Sequence, residues 1–381
     1  MFSPMKLILF ANTDWYLYNF RRSLALALRE AGHEVLLVSP DGPYGEKLRA
    51  LGLRWEPVPM DRRSLNPLSE ALLLLRLALL FRREQPDIVH GFTIKGAVYG
   101  SLAARMAGVA GRVSAVAGMG YVFSSDALKA RMLRPLVRRL LRLTLSGRNA
   151  RLILQNPDDV TAFEQARLVD SSRVRLILGS GVDTVRFAPD PERHTTEHLR
   201  VLLPARLLWD KGLAEYALAG DLLRQRGTPV DLLLAGDPDP GNPDAVPEAD
   251  VHAWVERGLL QWLGHVDDMP SLLRSVDIVA LPTCYGEGLP KGLIEAAASG
   301  CALITTDVPG CREVVTHEVD GLRVPVRDGV ALADAIERLA LDHALRQRLA
   351  AAARAKALAL FDERIVIART LTVYDELQAS V

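Results

Sequence analysis

Hydrophobic and polar positions along the chain form two successive series of short apolar runs separated by helical patterns. In the first half the runs lie near residues 6–11, 34–39, 87–90, 112–117, 151–155 and 174–178. In the second half they lie near residues 200–205, 230–235, 259–263, 277–281 and 302–305. Strand-length apolar runs that alternate with helices are typical of a parallel sheet covered by helices on both faces. The pattern therefore predicts two doubly wound α/β domains.

A polar stretch with two prolines, residues 188–196, predicts the linker between the domains. The predicted division is an N-terminal domain at 1–186, a linker at 187–198 and a C-terminal domain at 199–360. The helix of residues 361–381 is expected to pack back toward the N-terminal domain. Ligands of open α/β sheets bind beyond the carboxyl ends of the strands. The site is therefore expected in a cleft between two Rossmann-like domains.

The composition limits the classes of protein to which the chain can belong. The 381 residues are 49% hydrophobic, which is enough for two cores. The three cysteines form no C-x-x-C pair, which disfavours a disulfide framework or a structural zinc site and favours a reducing cytoplasm. The first apolar run turns polar at Asn12-Thr13-Asp14 without a cleavage pattern, so it is not expected to be a secretion signal.

Charge is divided unequally between the halves. Residues 1–186 hold 27 Lys and Arg against 16 Asp and Glu, whereas the remainder holds 19 against 30. A basic half suits nucleic acid, anionic lipid or a small anionic acceptor, and composition does not separate these partners. The amphipathic run 127–145 is either a sheet-covering helix with a solvated basic face or a membrane-surface contact. The apolar run 71–81 is shorter than the roughly 20 residues that span a bilayer, so it predicts a buried or interfacial helix.

Two carboxylates stand eight residues apart in the stretch from Glu287 to Glu295. Pro290 and Gly300 predict a helix over about 290–299, whose first amides can receive a phosphate. Glu287 then lies in the loop before the helix, and Glu295 lies more than one turn inside it. The same pattern also fits two solvated carboxylates, or the acid pair of a glycosidase.

A pair of cations, Arg206 and Lys211, stands between a predicted strand end and a helix start. The arginine fork can bond two phosphate oxygens while the lysine acts as a mobile point charge, so the pair suits a diphosphate. A surface ion pair of one of them with Asp210 is the simpler alternative. The cation pair argues against the glycosidase, because an anionic leaving group needs positive charge more than a proton.

In this order the motifs resemble those of the family 4 glycosyltransferases of the GT-B fold, over nearly the whole chain. The resemblance implies that Arg206 and Lys211 bind the donor diphosphate, that Glu295 holds the nucleotide ribose and that Glu287 lies beside the donor sugar. It also implies that Val266, in the turn after the third strand of the second domain, lies near the base. The residues that would line the diphosphate are Gly288, Leu289, Pro290 and Lys291.

Three N-terminal segments resemble those of the branch of this family that acts on undecaprenyl-diphosphate sugars. They are residues 12–16, 90–95 and 118–123. Asn12 and Thr13 stand where other members carry a Gly-Gly turn near the diphosphate, so the backbone approach there is expected to differ. His90 is predicted to end a strand and face the cleft, where the resemblance implies that it orients the donor; a satisfied strand-terminal histidine is the alternative. The residues assigned to the acceptor side are Lys95, Gly118, Tyr121, Arg131 and Arg138.

These expectations add up to a retaining glycosyltransferase that moves a sugar, expected to be an N-acetylhexosamine, from a UDP-sugar to an undecaprenyl-diphosphate-linked saccharide. It is expected to be cytoplasmic and peripheral on an anionic membrane surface, and not to bind nucleic acid. No cofactor beyond the donor and no metal is expected, because no Asp-x-Asp motif was found after a strand at a suitable position. A UDP-sugar epimerase of the same architecture and a non-catalytic sugar-binding protein remain as alternatives.

Overall fold

The structure is a computed structural model that describes residues 4–61, 66–116, 128–192 and 198–379; the side chains of 128–134, 136 and 137 lie outside the description. The chain divides into two compact units. Unit 1 comprises Met1–Ser180 with Arg364–Val381, and unit 2 comprises Gly181–Glu363.

Unit 1 is built on a parallel sheet of seven strands within the described residues, in the order β3-β2-β1-β4-β5-β6-β7. The strands are β1 Lys6–Phe10, β2 Glu34–Ser39, β3 Arg54–Pro57, β4 Ile88–Phe92, β5 Gly111–Val116, β6 Ala150–Leu154 and β7 Val174–Leu176. The helices are α1 Asp14–Tyr16, α2 Arg22–Glu30, α3 Pro43–Ala50, α4 Pro67–Glu84, α5 Thr93–Ala107, α6 Leu128–Leu145 and α7 Pro157–Gln165. A π-helical segment, Leu17–Arg21, joins α1 to α2.

Alternate side chains of the central strand β1 enter two different cores. Leu7 and Leu9 lie in the core beneath α2, whereas Ile8 and Phe10 lie in the core beneath α4. All four are fully buried. Burial on both faces explains why such strands appear in the sequence as continuous apolar runs.

Unit 2 repeats the plan with six parallel strands in its described part, in the order β10-β9-β8-β11-β12-β13. The strands are β8 Leu199–Pro204, β9 Val230–Ala235, β10 Gln261–Gly264, β11 Ile278–Leu281, β12 Ala302–Thr306 and β13 Leu322–Val324. The helices are α8 Leu213–Arg226, α9 Glu248–Glu256, α10 Met269–Arg274, α11 Lys291–Ala298, α12 Cys311–Val314, α13 Gly329–Leu341 and α14 His343–Lys356. A short 3-10 turn, Trp209–Lys211, precedes α8, and a π-helical segment, Ala357–Phe361, follows α14.

The last helix, α15 (Glu363–Gln378), belongs almost entirely to unit 1. Its Tyr374 and Leu377 are buried in the same core as Leu7. Its Glu376 accepts hydrogen bonds from Arg175 at 2.6 Å and Arg151 at 3.0 Å. These contacts place the C-terminal helix in the first domain.

The unit boundary falls at Ser180/Gly181, before the end predicted at residue 186. Val182 forms a parallel bridge with Asp362, and its amide donates to the Phe361 carbonyl at 2.8 Å. The Thr184 hydroxyl donates to the Asp362 carboxylate at 2.5 Å. These bonds hold the first residues after the boundary in unit 2, so the proline-rich stretch lies inside that unit.

The helix predicted over 290–299 is α11, with Pro290 at its N-cap rather than at its first position. Gly300 follows it in the left-handed conformation at φ +77°. The apolar run 71–81 lies within α4, which buries one face. Among the described residues, no helix is both long and apolar enough to cross a membrane.

Gly236 allows the ends of β8 and β9 to approach closely. A Cβ on this residue would lie 1.9 Å from the Ala205 carbonyl oxygen, so we expect Gly236→Ala to lower the free energy of unfolding by about 1–3 kcal/mol, the usual cost of overpacking. Urea titration measures the change. Gly286→Ala is the matched control, because its Cβ would meet only ordinary contacts at 3.8 Å. Equal stability of the two variants would contradict the packing argument.

Candidate active site

The predicted site residues of unit 2 lie on segments that follow two neighbouring strands. Arg206 follows β8, and Lys211 ends the 3-10 turn before α8. Glu287 lies between β11 and α11, and Glu295 lies within α11. Because β8 and β11 pair in parallel, the loops after them leave the same edge of the sheet.

Lys211 forms an ion pair with Glu287, and each side chain is only 16% exposed. Backbone contacts hold the two segments together, since the Asp210 carbonyl accepts from the Thr283 hydroxyl and from the Cys284 amide, both at 2.9 Å. Gly212 makes this approach possible at φ +79°, because a Cβ there would lie 2.3 Å from the Pro282 carbonyl oxygen. The cation of one motif therefore meets the first carboxylate of the other.

Arg206 is paired as well, but on a more exposed side chain. Its Nη1 donates to Asp239 Oδ2 at 2.6 Å, and the arginine side chain is 54% exposed. Asn242 donates to the same carboxylate oxygen at 3.0 Å. The predicted alternative, an ion pair of Asp210 with Arg206 or Lys211, is wrong, because the two cations pair with Asp239 and Glu287.

Glu295 is exposed to nearly the same extent as Glu287, with a side chain that is 13% exposed. Burial raises the pKa of Glu295, while the cations Lys291 and Arg186 oppose that shift. Lys291 Nζ lies 3.8 Å from Glu295 Oε1, one helical turn away. At the start of α11, Leu289 and Pro290 are buried and Gly288 is half-buried.

The loop after β12 holds the Glu287 loop from the other side. The Glu287 amide donates to the Pro309 carbonyl at 3.0 Å. Gly310 has φ +86°, and a Cβ there would lie 2.6 Å from the Glu287 carbonyl oxygen. The Glu313 carboxylate accepts from the Gly310 amide at 2.6 Å and so fixes the start of α12. Three strand-end loops thus determine where Glu287 lies.

The turn after β10 carries the residue expected near the base. Val266 is half-buried, and Gly264 before it has φ +66°. His265 between them is exposed, and its Nδ1 lies 2.8 Å from Asp237 Oδ2. The strand-end loop of β9 therefore contacts the turn in which Val266 lies.

In unit 1, the loop after β1 uses its polar side chains to start helices. The Thr13 hydroxyl accepts from the Tyr16 amide at 3.1 Å as the N-cap of α1, and the neighbouring Asn12 is half-buried. Asp14 is buried and accepts from the amides of Tyr44 and Gly45 at 2.6 and 3.1 Å, so it holds the start of α3.

The prediction for His90 is wrong. Strand β4 continues to Phe92, so His90 lies in mid-strand, and its ring is 1% exposed. Its Nδ1 lies 2.7 Å from the Tyr374 hydroxyl, and its ring packs 4.1 Å from that of Phe92, centroid to centroid. Burial, with the Arg21 guanidinium nearby, holds the pKa of His90 well below its usual value. His90 is thus a neutral core histidine that ties β4 to α15.

This burial predicts acid sensitivity. Below about pH 6.5 the unfolded chain protonates His90 while the folded chain does not. The stability from the neutral ring is therefore present above that pH and is lost as the pH falls toward the folded-state pKa, by up to about 1.4 kcal/mol per pH unit. Urea unfolding of His90→Gln between about pH 7.5 and 5 should show a shallower pH dependence than the parent chain. The exposed His343→Gln is the control, and an unchanged slope in His90→Gln would contradict this account.

The acceptor-side predictions have mixed outcomes. Lys95 is only 15% exposed; its Nζ donates to Glu70 at 2.8 Å and to the Asp61 carbonyl at 2.6 Å, so it is not a solvated lysine. Arg138 is exposed on α6. Gly118 and Tyr121 lie outside the described residues, as does the side chain of Arg131. Their roles stay predictions.

Models of two glycosyltransferase families match the chain. Residues 6–156 match the model described as "Glycosyl transferase 4-like", and residues 198–342 match "Glycosyl transferases group 1". The chain belongs to the family 4 glycosyltransferases. The resemblance stated from the motifs is therefore confirmed.

Relatives of this glycosyltransferase match along most of its length. It is 28% identical over 96% of its chain and 97% of the N,N'-diacetylbacillosaminyl-diphospho-undecaprenol alpha-1,3-N-acetylgalactosaminyltransferase of Campylobacter jejuni. It is 26% identical over 76% of its chain and 75% of the UDP-Gal:alpha-D-GlcNAc-diphosphoundecaprenol alpha-1,3-galactosyltransferase of Escherichia coli. The crystal structure of Anabaena Alr3699/HepE with UDP-glucose superposes with a TM-score of 0.76, at 21% identity over 97% and 99% of the two chains. The fold is GT-B, as predicted.

One acidic motif of this glycosyltransferase was not predicted from the sequence. Asp237-Pro238-Asp239 does follow a strand, β9, and its two carboxylates bind His265 and Arg206 separately. Within the residues that the structure describes, no group of three or more His, Cys, Asp and Glu side chains is arranged to hold a metal ion. The Asp-x-Asp spacing was the signal that could have identified Asp239 as the partner of Arg206.

Proposed function

We propose that this glycosyltransferase moves a sugar from a UDP-sugar to a saccharide carried on undecaprenyl diphosphate, with retention of configuration at the anomeric carbon. The observation that carries the proposal is the ion pair of Lys211 with Glu287, which unites the two motifs at one sheet edge. The names of the two relatives support a lipid diphosphate acceptor, and the Escherichia coli relative and the UDP-glucose complex of the Anabaena protein support a UDP donor.

In the proposed complex, Arg206 and Lys211 bind the donor diphosphate. Both cations are held by single carboxylates, Asp239 and Glu287, so a diphosphate with its greater negative charge can compete for them. The residues around the start of α11, from Gly288 to Lys291, would line the same phosphates. These groups stabilise the charge that develops as UDP leaves.

The proton of the acceptor hydroxyl needs a destination. We propose that an oxygen of the departing diphosphate accepts it, on the face where the sugar bond breaks. The new glycosidic bond then forms on that same face, which retains the configuration. Glu287 positions the donor sugar in this scheme, and transfer is expected to proceed in the presence of a chelator.

His90 has no direct contact with the donor in this proposal, because its ring is buried. The acceptor is expected on the side of unit 1 that carries Lys95, with the enzyme on the anionic inner face of the cytoplasmic membrane. We expect the transferred sugar to be an N-acetylhexosamine.

Glu295 is proposed to hold the ribose hydroxyls. If so, UDP should bind more tightly than 2'-deoxy-UDP or 3'-deoxy-UDP, since a hydrogen bond to a charged group is worth about 1.5–3 kcal/mol, or more than about tenfold. Glu295→Gln should reduce that preference, as measured by titration calorimetry. The matched control is Glu256→Gln, on an exposed helical glutamate at the end of α9. Unchanged discrimination in Glu295→Gln would remove Glu295 from the ribose site.

The decisive experiment presents a panel of UDP-sugars with extracted undecaprenyl-diphosphate-linked saccharides and determines the linkage of the product. A lengthened lipid-linked saccharide with the anomeric configuration of the donor supports the proposal. A product with the opposite anomeric configuration would contradict the proposed retention but not the proposed transfer. Conversion of the UDP-sugar to its epimer without acceptor would indicate the epimerase, and absence of UDP release on adding any acceptor would indicate a binding protein.

A further inference from the structure

Helix α4 of unit 1 has two apolar faces, of which only one is used by the fold. Its inner face buries Leu73, Leu77 and Phe81 against the sheet. The outer face carries four exposed leucines, with exposed fractions of 81, 46, 49 and 54%, at Leu68, Leu72, Leu75 and Leu79. Solvated helices normally expose apolar side chains singly.

The four leucines lie on one stripe. Their spacings of four, three and four residues bring them to the same side of an α-helix. With a rise of about 1.5 Å per residue, the stripe runs about 17 Å along the helix. Met106, at the end of α5, adds a further exposed apolar side chain, and Arg82 of α4 donates to its carbonyl at 2.8 Å.

The charges on this face have one sign. The exposed charged residues of α4 are Arg76, Arg82 and Arg83, and none is an acid. The two acids of the helix are paired within unit 1: Glu70 binds Lys95 at 2.8 Å, and Glu84 binds Lys6 at 3.0 Å and Arg83 at 3.1 Å. Arg83 also pairs with Glu56 at 2.5 Å.

The charges around the four leucines indicate which kind of partner binds to them. A second copy of the chain would meet the leucines with leucines, but it would bring further arginines and no acid from its own α4. An anionic bilayer offers both an apolar interior for the leucines and phosphate groups for the arginines. Because the inner face of α4 is packed on the sheet, its outer face would rest on the membrane with the helix parallel to the surface.

We propose that the outer face of α4 docks on an anionic membrane surface, with Leu68, Leu72, Leu75 and Leu79 inserted among the acyl chains and Arg76 at the level of the phosphates. The inference extends the proposed function, because it rests on an acceptor whose lipid holds it in the bilayer. It gives the enzyme a route to that acceptor at the membrane surface. Helix α4 serves both roles, since its inner face holds the unit together and its outer face is left for the lipid.

The test measures binding of the full chain to vesicles of phosphatidylglycerol and phosphatidylethanolamine, and to vesicles of phosphatidylcholine alone, by co-sedimentation. We expect binding to the anionic vesicles, and a loss of about tenfold or more in Leu72→Gln/Leu75→Gln, since interfacial binding scales with buried apolar area. The matched control is Leu341→Gln/Leu358→Gln, which removes two exposed leucines (71 and 43%) from unit 2 and should bind as the parent does. Arg76→Gln should weaken binding to the anionic vesicles only.

The proposal is overturned if the anionic vesicles are not bound, or if both double variants lose binding equally. It is also overturned if sedimentation velocity shows a dimer that only Leu72→Gln/Leu75→Gln dissociates, because the occupant is then a second copy. No acceptor is present in these measurements, so a negative result would contradict membrane docking without contradicting the proposed transfer reaction. A variant deficient in vesicle binding should still release UDP with a soluble short-chain acceptor.

Discussion

Replacing Arg206 by alanine is expected to reduce sugar transfer by about 10²–10³-fold, the usual effect of removing one preorganised donor to a developing oxyanion. The guanidinium is 54% exposed and bound at 2.6 Å to Asp239, so it lies on the surface with a single acidic partner rather than in a core. Exposed ion pairs contribute at most about 1 kcal/mol to stability. The fold should therefore survive, as checked by circular dichroism and urea unfolding, while initial rates of transfer fall.

Two further variants make the Arg206 result specific. Arg224→Ala removes an arginine of similar exposure, 57%, which pairs with Asp221 at 3.1 Å on α8, and transfer should be unchanged. Arg206→Lys keeps the charge but not the fork, so it should recover only part of the activity. Full activity in Arg206→Ala would disprove the diphosphate assignment.

The Lys211–Glu287 pair supplies the second large effect. Lys211→Met should weaken UDP binding and lower transfer by about a hundredfold, because it removes a charge from the proposed phosphate site. Glu287→Gln should leave UDP binding nearly intact while lowering the turnover of the UDP-sugar, since the carboxylate is proposed to contact the sugar and not the nucleotide. Calorimetry with UDP and steady-state kinetics separate these effects.

The competing account makes Lys211 only a tether that holds Glu287 in place. It predicts that the two single variants and the double variant are equally impaired in turnover and that all three bind UDP normally. Independent, roughly additive losses with a UDP-binding defect confined to the lysine variants would support the proposed roles.

The sequence was sufficient to predict strands that are buried on both faces. Strands β1, β8 and β12 each contain a short continuous apolar run, because helices cover both sides of each sheet. Two edge strands were missed for the same physical reason. Strand β3 (Arg54–Pro57) and strand β13 (Leu322–Val324) are short and contain half-exposed or exposed polar residues, so no apolar run marks them.

The residues of the candidate site were predictable where they stand in a motif, but their pairing was not. Arg206, Lys211 and Glu287 each stand in a segment between a strand and the next helix, which the pattern shows. Their partners depend on the strand order β9-β8-β11, which places segments distant in sequence side by side. Asp239 was missed because a proline-rich loop gives no periodic signal.

The failure at His90 follows from an error of two residues in a strand end. Ile88, His90 and Phe92 point to one face of β4 because strand side chains alternate. Once Phe92 belongs to the strand, the histidine between the two hydrophobic residues must enter the core with them. A strand that stopped at His90 would have left its ring free to turn outward.

The bridge between Val182 and Asp362 makes unit 2 a closed insertion within unit 1. Because the ribosome makes the chain from its N-terminus, every residue of the insertion is synthesised before α15. The core that contains Leu7 needs Tyr374 and Leu377, which follow the whole of unit 2 in the chain. Unit 2 can thus complete its fold before α15 is made, whereas the core of unit 1 can do so only once α15 has been synthesised.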